Sequence, residues 1–517
     1  MSKNILSLKK LVEIYSDPVL AAEQLNLDQL TKASISDLDV NFIGGDIEFV
    51  RGNGTVNFQR DSVSTYIGID GILKKAVKNQ PKIESEGLLI ESQSLNYIKK
   101  SEDFTGTGVN ALIQASVGLV APDNTSTVQK ITETNTTSEH YINFVANSQI
   151  FPIQSLGSTS TPSRNKVLTF STFIRAAERK YVRLRYLDSS NQNRATVVYD
   201  LEAGTILSFS QNFDTSTFPD LPSFFLNTGS TPYCSIKKIS RVGEFEFDEY
   251  SWYRISLTFY TGADSGDFKV VLGFTDSIDN WSYAGSTTAG VYVWGAQLEP
   301  MPYPTSYIYS NNFSSPPIRY ADYCWISNAD LNVPFPYKGQ TTYIVNFNLL
   351  GRYHFASTKL TEYDPTVLNT SHNYAYLTRM DYRWLFSLAG FNYQLGSVLK
   401  DGNIISYYNR DWASYVGPLD QTTETEALFN NTLSAAFVFD SNVQSTYLNG
   451  DIKLETNVTV PAYSGIPTHI NIGHHGSVSS NKGEDISRNI SSGFLNGHIS
   501  SFRIFKRALN QEDIILL

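Results

Sequence analysis

Gly290-Val291-Tyr292-Val293-Trp294-Gly295-Ala296-Gln297-Leu298-Glu299, followed by Pro304-Thr305-Ser306-Tyr307-Ile308, is the stretch on which the fold turns. A run of apolar and small side chains bounded by turn residues reads as a buried strand. Period-two alternation puts Tyr292, Trp294 and Ala296 on one face and Val293, Gly295 and Gln297 on the other. On that reading Trp294 belongs to a core. The residues upstream look like the body of a β module that this strand closes, and those downstream like a second module. No catalytic signature lies in or around it.

Upstream, the same rhythm repeats. Val167 to Ile174 alternates, with Leu168, Phe170 and Ile174 on one face. In Tyr181 to Tyr186, Val182, Leu184 and Tyr186 point inward and Arg183 and Arg185 outward. Trp252 to Tyr260 places Tyr253, Ile255, Leu257 and Phe259 on one side. Short strands at this spacing, without interleaved helices, predict antiparallel sandwiches. Downstream, Pro334 to Pro336 reads as a linker and Thr342 to Phe347 as the first strand after it. Leu433–Asp440 and Thr446–Ile452 carry a hairpin signal, with Asn449-Gly450 as the turn. His469–Gly473 and Gly493–Phe505 follow as strands, and Arg507–Ile514 as a short helix capped by Asn510 with acids in its first turn.

At 517 residues the chain exceeds a single core, so two or three domains are expected. Hydrophobic residues make up 41%, enough for folded domains, while 31 Tyr and 30 Phe favour pleated surfaces. The net charge of −10 argues against nucleic-acid binding, which needs a basic face. Cys234 and Cys324 cannot frame a disulfide scaffold and read as free buried thiols. No stretch is long and apolar enough for a membrane span, so no membrane insertion is expected. The N-terminus shows no signal-peptide pattern, so an external role is expected to need a route other than ordinary secretion, such as release by cell lysis. Residues 3–31 have helical periodicity interrupted at Asp17-Pro18; the apolar stripe packs on the body or docks onto a partner.

A set of motifs in fixed order adds a resemblance. Phe58-Gln59-Arg60-Asp61-Ser62, Thr65-Tyr66, Asp70–Lys74, Asn79-Gln80-Pro81-Lys82 and Gly87-Leu88-Leu89-Ile90-Glu91 open it. Leu95-Asn96, Ser101–Phe104, Phe173–Arg179 and Trp252-Tyr253-Arg254 continue it. Trp294–Glu299, Pro304–Tyr307 and Arg319-Tyr320-Ala321-Asp322 close it. Over residues 55–325 the chain resembles the concanavalin-like, carbohydrate-binding-like modules of bacteriophage tail-fibre, receptor-binding and head-associated proteins. It departs at Lys82, where that family favours Arg, and in a Ser/Thr-rich insertion around 155–165. The strand succession after residue 433 resembles the laminin-G/concanavalin-like superfamily.

The resemblance implies a mostly β chain with two concanavalin A-like antiparallel β-sandwich (jelly-roll) modules. Residues 1–41 form a helical docking segment, 42–332 the first sandwich with insertions, and 333–517 the second. It further implies a virion structural protein, made in the bacterial cytoplasm and carried on the particle. Other virion proteins would meet its N-terminal segment, copies of itself would form a homo-oligomer such as a trimer, and host-surface polysaccharide would meet its sandwiches. A purely cementing role without glycan binding stays open.

For sugar recognition the chemistry needs aromatic platforms beside hydrogen-bonding groups. The candidates are Trp281 and Tyr283, and the polar run Tyr407, Tyr408, Arg410, Asp411, Trp412 with Tyr415. Arg183 and Arg185 suit an anionic sugar, or else a solvated strand face. No catalytic residue is assigned. The enzymatic alternative is a glycan depolymerase using Glu244, Glu246 and Asp248, which share a strand face, although a solvated edge explains them as well. His469, His474, His475 and His498 fall in the closing strands without a metal-binding spacing, so no metal is assigned. No cofactor is expected; calcium, which lectin-like sandwiches hold through Asp and backbone oxygens, stays open.

Overall fold

The computed structural model describes residues 36–52, 54–116, 118–145, 150, 167–213, 234–240, 251–261, 267–312, 315–327, 340–350, 383–389, 395–400, 403–408, 432–440, 443–457, 469–474, 494–515 and 517. Among these the chain is mostly β, in antiparallel sheets, with a single short helix at Gln511–Ile515. No described helix is long and apolar enough to cross a membrane.

The first sandwich pairs two six-stranded sheets. One runs Ala111–Ala115, Gln129–Glu133, Gly290–Glu299, Val167–Ala176, Trp252–Tyr260, Cys234–Ile239 in spatial order. The other, the arginine sheet, runs Thr205–Gln211, Asn193–Asp200, Tyr181–Leu187, Lys269–Thr275, Tyr141–Val145, Gly108–Val109. Their inner faces share one core that includes Leu168, Phe170, Ile255, Leu257, Leu184 and Leu272. Burying each large apolar side chain contributes about 1.5–3 kcal/mol, so this core carries the stability of the module.

Gly290–Glu299 is a strand at the centre of its sheet, and its alternation breaks once. Trp294 lies opposite Phe173 and Gln297 opposite Ser171, three steps on one strand against two on the other. The extra residue makes a β-bulge at Gly295, whose φ is +65°, and the Ala296 N–H bonds Ser101 O outside the ladder. The bulge inverts the parity beyond it. Ala296 therefore joins Val291, Val293 and Leu298 in the core between the sheets, contrary to the uniform alternation read from sequence. Trp294 is fully buried on the opposite face with Phe173, Trp252 and Tyr307, and its Nε1 donates to Thr127 Oγ1 at 2.8 Å. A Cβ on Gly295 would sit 2.9 Å from Phe173 Cδ2.

The second sandwich interleaves with the first along the chain. Its larger sheet runs Glu48–Arg51, Leu38–Asn41, Gly497–Phe505, Thr341–Leu349, Leu433–Asp440, Val443–Leu448, Asp451–Asn457, with Gly87–Ile90 also on Gly497–Phe505. The facing sheet runs Asn403–Tyr408, Leu395–Lys400, Arg383–Ala389, His469–Ile472, Tyr323–Ser327, Val56–Gln59. The strands thus cross the boundary expected at 332/333. Leu38–Asn41, placed by the sequence reading in a helical segment, is a strand. Leu38 and Val40 alternate into the core opposite Ile504 and Phe502, while Asp39 meets Arg503 on the other face. The Asn449-Gly450 turn joins Val443–Leu448 to Asp451–Asn457, not Leu433–Asp440 to Thr446–Ile452 as expected, and has both residues at positive φ, 51° and 84°, as a two-residue hairpin requires. At the terminal helix Asn510 Oδ1 accepts the Asp513 N–H at 2.8 Å, and Ile514 is buried against the sheet.

Where the two sandwiches meet, charge is buried. Lys82, Glu91, Asp322, Arg60 and Arg319 are all at most 1% exposed. The Lys82 ammonium contacts Glu91, Asp322 Oδ2 at 2.9 Å and Ser306 Oγ at 3.3 Å, which engages its three donors. Arg60 reaches Asp322 Oδ1 at 3.0 Å and the Val77 carbonyl at 2.8 Å; Arg319 donates to the Ser92 carbonyl at 2.8 Å. Glu91 also accepts from the Ser306 N–H at 2.8 Å. Burial opposes the Glu91 charge, and Arg319, Lys82 and the hydrogen bonds outweigh it, holding its carboxyl well below the usual range. Both cysteines are free and buried, and burial pushes the Cys234 thiol up to about 12.

Two outcomes test this architecture. Gly295→Ala forces a side chain into left-handed backbone and against Phe173, so urea unfolding followed by Trp fluorescence should show a loss of about 1–3 kcal/mol. Lys82→Met removes the cation that two buried carboxylates share, leaving Asp322 with Arg60 and Glu91 with Arg319, and should cost about 3–5 kcal/mol at neutral pH. Because Glu91 is depressed in the fold, its contribution is present at neutral pH and fades as pH falls below about 4.3, so the penalty should shrink in acid.

Candidate functional site

The outer face of the arginine sheet is built by the alternation of Tyr181–Leu187. Val182, Leu184 and Tyr186 are within 1% of full burial, which turns Arg183 and Arg185 to the other side. In the ladder they lie opposite Gly273 and Val271 on one flank and Val198 and Thr196 on the other. A single carboxylate serves both. Glu139, just before Tyr141–Val145, accepts from Arg183 Nη2 at 2.9 Å and from Arg185 Nη2 at 2.6 Å through separate oxygens. Two cations on one anion leave a local excess of positive charge. The Nε of each arginine is buried without a hydrogen-bond partner.

Electrostatics follow from that stoichiometry. Burial disfavours the Glu139 charge, but Arg185 and Arg183 together hold its carboxyl below the ordinary range. Burial, then the like charge of Arg185, pulls the Arg183 pKa down against the opposing pull of Glu139. The two side chains are 13% and 15% exposed, so the site is dry enough for charge to matter yet open to solvent.

Trp281 completes the face. Arg183 Cζ sits 4.1 Å from its ring centroid, within cation–π range. The turn after Lys269–Thr275 places the indole: Thr275 Oγ1 donates to Asn280 O at 2.7 Å, and Trp281 Nε1 to Ile278 O at 2.9 Å. Tyr283, grouped with Trp281 from sequence, does a different job. Its hydroxyl lies 2.5 Å from Glu133 Oε1 and 2.9 Å from Phe274 O, and its ring is flanked by His140 and Arg179. Burial and the Glu133 hydrogen bond raise its pKa. Tyr283 anchors the segment; Trp281 faces outward from it.

The remaining candidates are distributed differently. Tyr407 and Tyr408 end the Asn403–Tyr408 strand opposite Gly396 and Leu395. Arg410, Asp411, Trp412 and Tyr415 lie outside the described residues, as do Glu244, Glu246, Asp248 and His475. The histidines that are described do not converge: His474 Nε2 is 2.8 Å from the Cys324 carbonyl, and His498 Nε2 is 3.0 Å from Glu84. Glu139 was not signalled in the sequence. It sits in a polar connection 44 residues before Arg183, where no periodicity marks it.

No protein-family model matches the chain, and no curated protein does. Solved structures align with parts of it. The receptor binding domain of botulinum neurotoxin C/D mosaic serotype shares 12% identity over 38% of this chain and 40% of that one, with a TM-score of 0.25. The binding domain of Paraclostridial Mosquitocidal Protein 1 shares 15% over 38% and 40%, with a TM-score of 0.25. The Ruminococcus gnavus IT-sialidase CBM40 bound to α2,3-sialyllactose shares 10% over 35% of this chain and 83% of that one, with a TM-score of 0.22. The chain thus spans about two fifths of the first two of these chains, and scores this low do not define a shared ligand.

If Glu139 is the counter-ion that Arg183 and Arg185 share, Glu139→Gln leaves an anion vacancy. The variant should lose about 1 kcal/mol, and added sulfate should raise its Tm more than that of the parent. Equal sulfate responses would show that the carboxylate does not hold this position.

Proposed function

We propose that this chain is a glycan-binding protein of a bacteriophage virion, and that Arg183, Arg185 and Trp281 meet an anionic host-surface polysaccharide. One observation carries the ligand chemistry: two guanidiniums share one carboxylate beside a stacked indole, leaving N–H donors and positive charge on a sheet face. Guanidinium forks match carboxylates in geometry, and an indole offers a flat apolar surface to a sugar ring. The ordered motifs over residues 55–325 support the virion assignment and a concanavalin-like jelly-roll for the sandwich. Residues 1–41 then include the docking segment toward other virion proteins. A homo-oligomer, such as a trimer, would repeat a weak site and gain avidity through effective concentration.

The test is binding of the purified full-length protein to immobilised acidic capsule from candidate hosts, with neutral dextran as control, across a salt series. Binding should prefer the acidic polymer and weaken with salt. Arg183→Ala with Arg185→Ala should lower it at least about tenfold, the loss of one charge-assisted contact. Undiminished binding by the double variant would refute the assignment of this face. Release of reducing ends, abolished by Glu246→Gln, would replace binding with cleavage.

A further inference from the structure

A second cluster lies where the two sandwiches touch. Glu84 ends the Ile83–Glu84 strand, Glu86 follows in the adjoining turn, and His498 is on Gly497–Phe505. One ligand atom from each of the three lies within 4.8 Å of the others. The side chains of His498 and Glu84 are 3% and 7% exposed, and that of Glu86 is 36% exposed, so the cluster opens to solvent on the Glu86 side.

The hydrogen bonds of His498 turn its Nε2 toward Glu84, with a place between them for a proton or a metal ion. Asn348 Oδ1 accepts the His498 backbone N–H at 3.2 Å, which identifies that atom as the amide oxygen. The same oxygen is 2.7 Å from His498 Nδ1, so Nδ1 is the donor. Nε2 therefore faces Glu84 Oε2 at 3.0 Å, while the other Glu84 oxygen accepts the Ile67 N–H at 2.7 Å. An imidazole lone pair and a carboxylate oxygen repel at this distance unless a proton or a metal ion lies between them. Tetrahedral bonds of about 2.0–2.1 Å separate neighbouring ligand atoms by about 3.3 Å, close to what is seen. An Nδ1–H held by an amide oxygen is also the outer support that metal-binding imidazoles use.

Lys237 occupies the cation's side of the cluster. It comes from Cys234–Ile239, the edge strand of the first sandwich, and its ammonium is 3.6 Å from Glu84 Oε2 and 3.6 Å from Glu86 Oε1. Those separations exceed a direct charge-assisted hydrogen bond, about 2.7–2.9 Å. With 44% of the side chain exposed, the ammonium is free to swing into water.

We propose that Glu84, Glu86 and His498 bind one divalent transition-metal ion, with the Lys237 ammonium as the resident competitor. One imidazole and two carboxylates suit Zn2+ and its neighbours. Ca2+ prefers six to eight oxygens, so it should bind far more weakly. The site is independent of the arginine face and of its ligand.

The experiment uses the full-length protein, stripped with chelator and dialysed against Zn2+, Mn2+ or Ca2+, with bound metal measured by elemental analysis. A single zinc per chain is expected, with calcium not retained. Glu86→Gln should weaken zinc at least tenfold, and Lys237→Met should tighten it at least tenfold; both positions are partly exposed, so both variants should fold. His498→Gln should abolish uptake, with circular dichroism checking that the buried change leaves the sheets intact. Absence of stoichiometric zinc would overturn the proposal, as would zinc uptake indifferent to Glu86→Gln and Lys237→Met.

Discussion

The Lys82 ammonium, enclosed by Glu91, Asp322 and Ser306, is the contact on which the placement of the two sandwiches depends. Lys82 and Glu91 flank the Gly87–Ile90 strand of the second sandwich, and Asp322 directly precedes another of its strands, Tyr323–Ser327. Ser306 follows the strand that closes the first sandwich, and its N–H and hydroxyl both bond Glu91. Apolar burial stabilises each sandwich, but it tolerates many relative placements. Buried charge does not: a displaced partner leaves an ion in a dry interior at a cost of several kcal/mol. The network therefore selects the register in which the connecting segments lie against both sheets.

Interleaving has a kinetic consequence. The first sandwich draws its core from residues 95–298, a continuous span. The second needs Leu38–Asn41 and Gly87–Ile90 beside Gly497–Phe505, and Ser92 N–H bonds Asn496 Oδ1 across 404 residues. Contacts of that separation bear the full loop-closure entropy before any burial offsets it. We expect the first sandwich to form early and to template the second, with the 60–91 and 318–327 segments waiting for the C-terminal strands.

Local features were legible in the sequence because their causes are local. The Tyr181–Tyr186 alternation, the Asn449-Gly450 turn and the Asn510 cap each depend on residues within a few positions. The Gly295 bulge was not legible: a glycine in an apolar run fits a straight strand equally well, and only pairing with Ser171 and Phe173 reveals the extra residue. Arg60, Lys82, Glu91, Arg319 and Asp322 each stand in a motif visible in the sequence, yet nothing in their spacing shows that they meet. At the candidate site, Arg183, Arg185 and Trp281 were each visible, while Glu139 was hidden because its role exists only once Tyr141–Val145 pairs beside Lys269–Thr275. Sequence reading grouped Trp281 with Tyr283 by proximity; the hydrogen bonds separate an outward indole from an inward phenol.

That separation bears on how the face would bind. Glu133 grips Arg179, Tyr283 and the Ser286 N–H, so the segment leading from Trp281 is tied to the scaffold before any ligand arrives. Glu139 likewise holds both guanidiniums in place, and Trp281 covers one of them. Side-chain ordering, which costs about 0.5–1.5 kcal/mol per long side chain on association, is therefore largely met by the fold. On the proposed reading, the same carboxylate would limit affinity, because an anionic ligand would have to compete with Glu139 for the arginines. A preorganised site with its own internal competitor would have modest intrinsic affinity and discriminate by charge. Such a site gains most when several copies act together on one polymer.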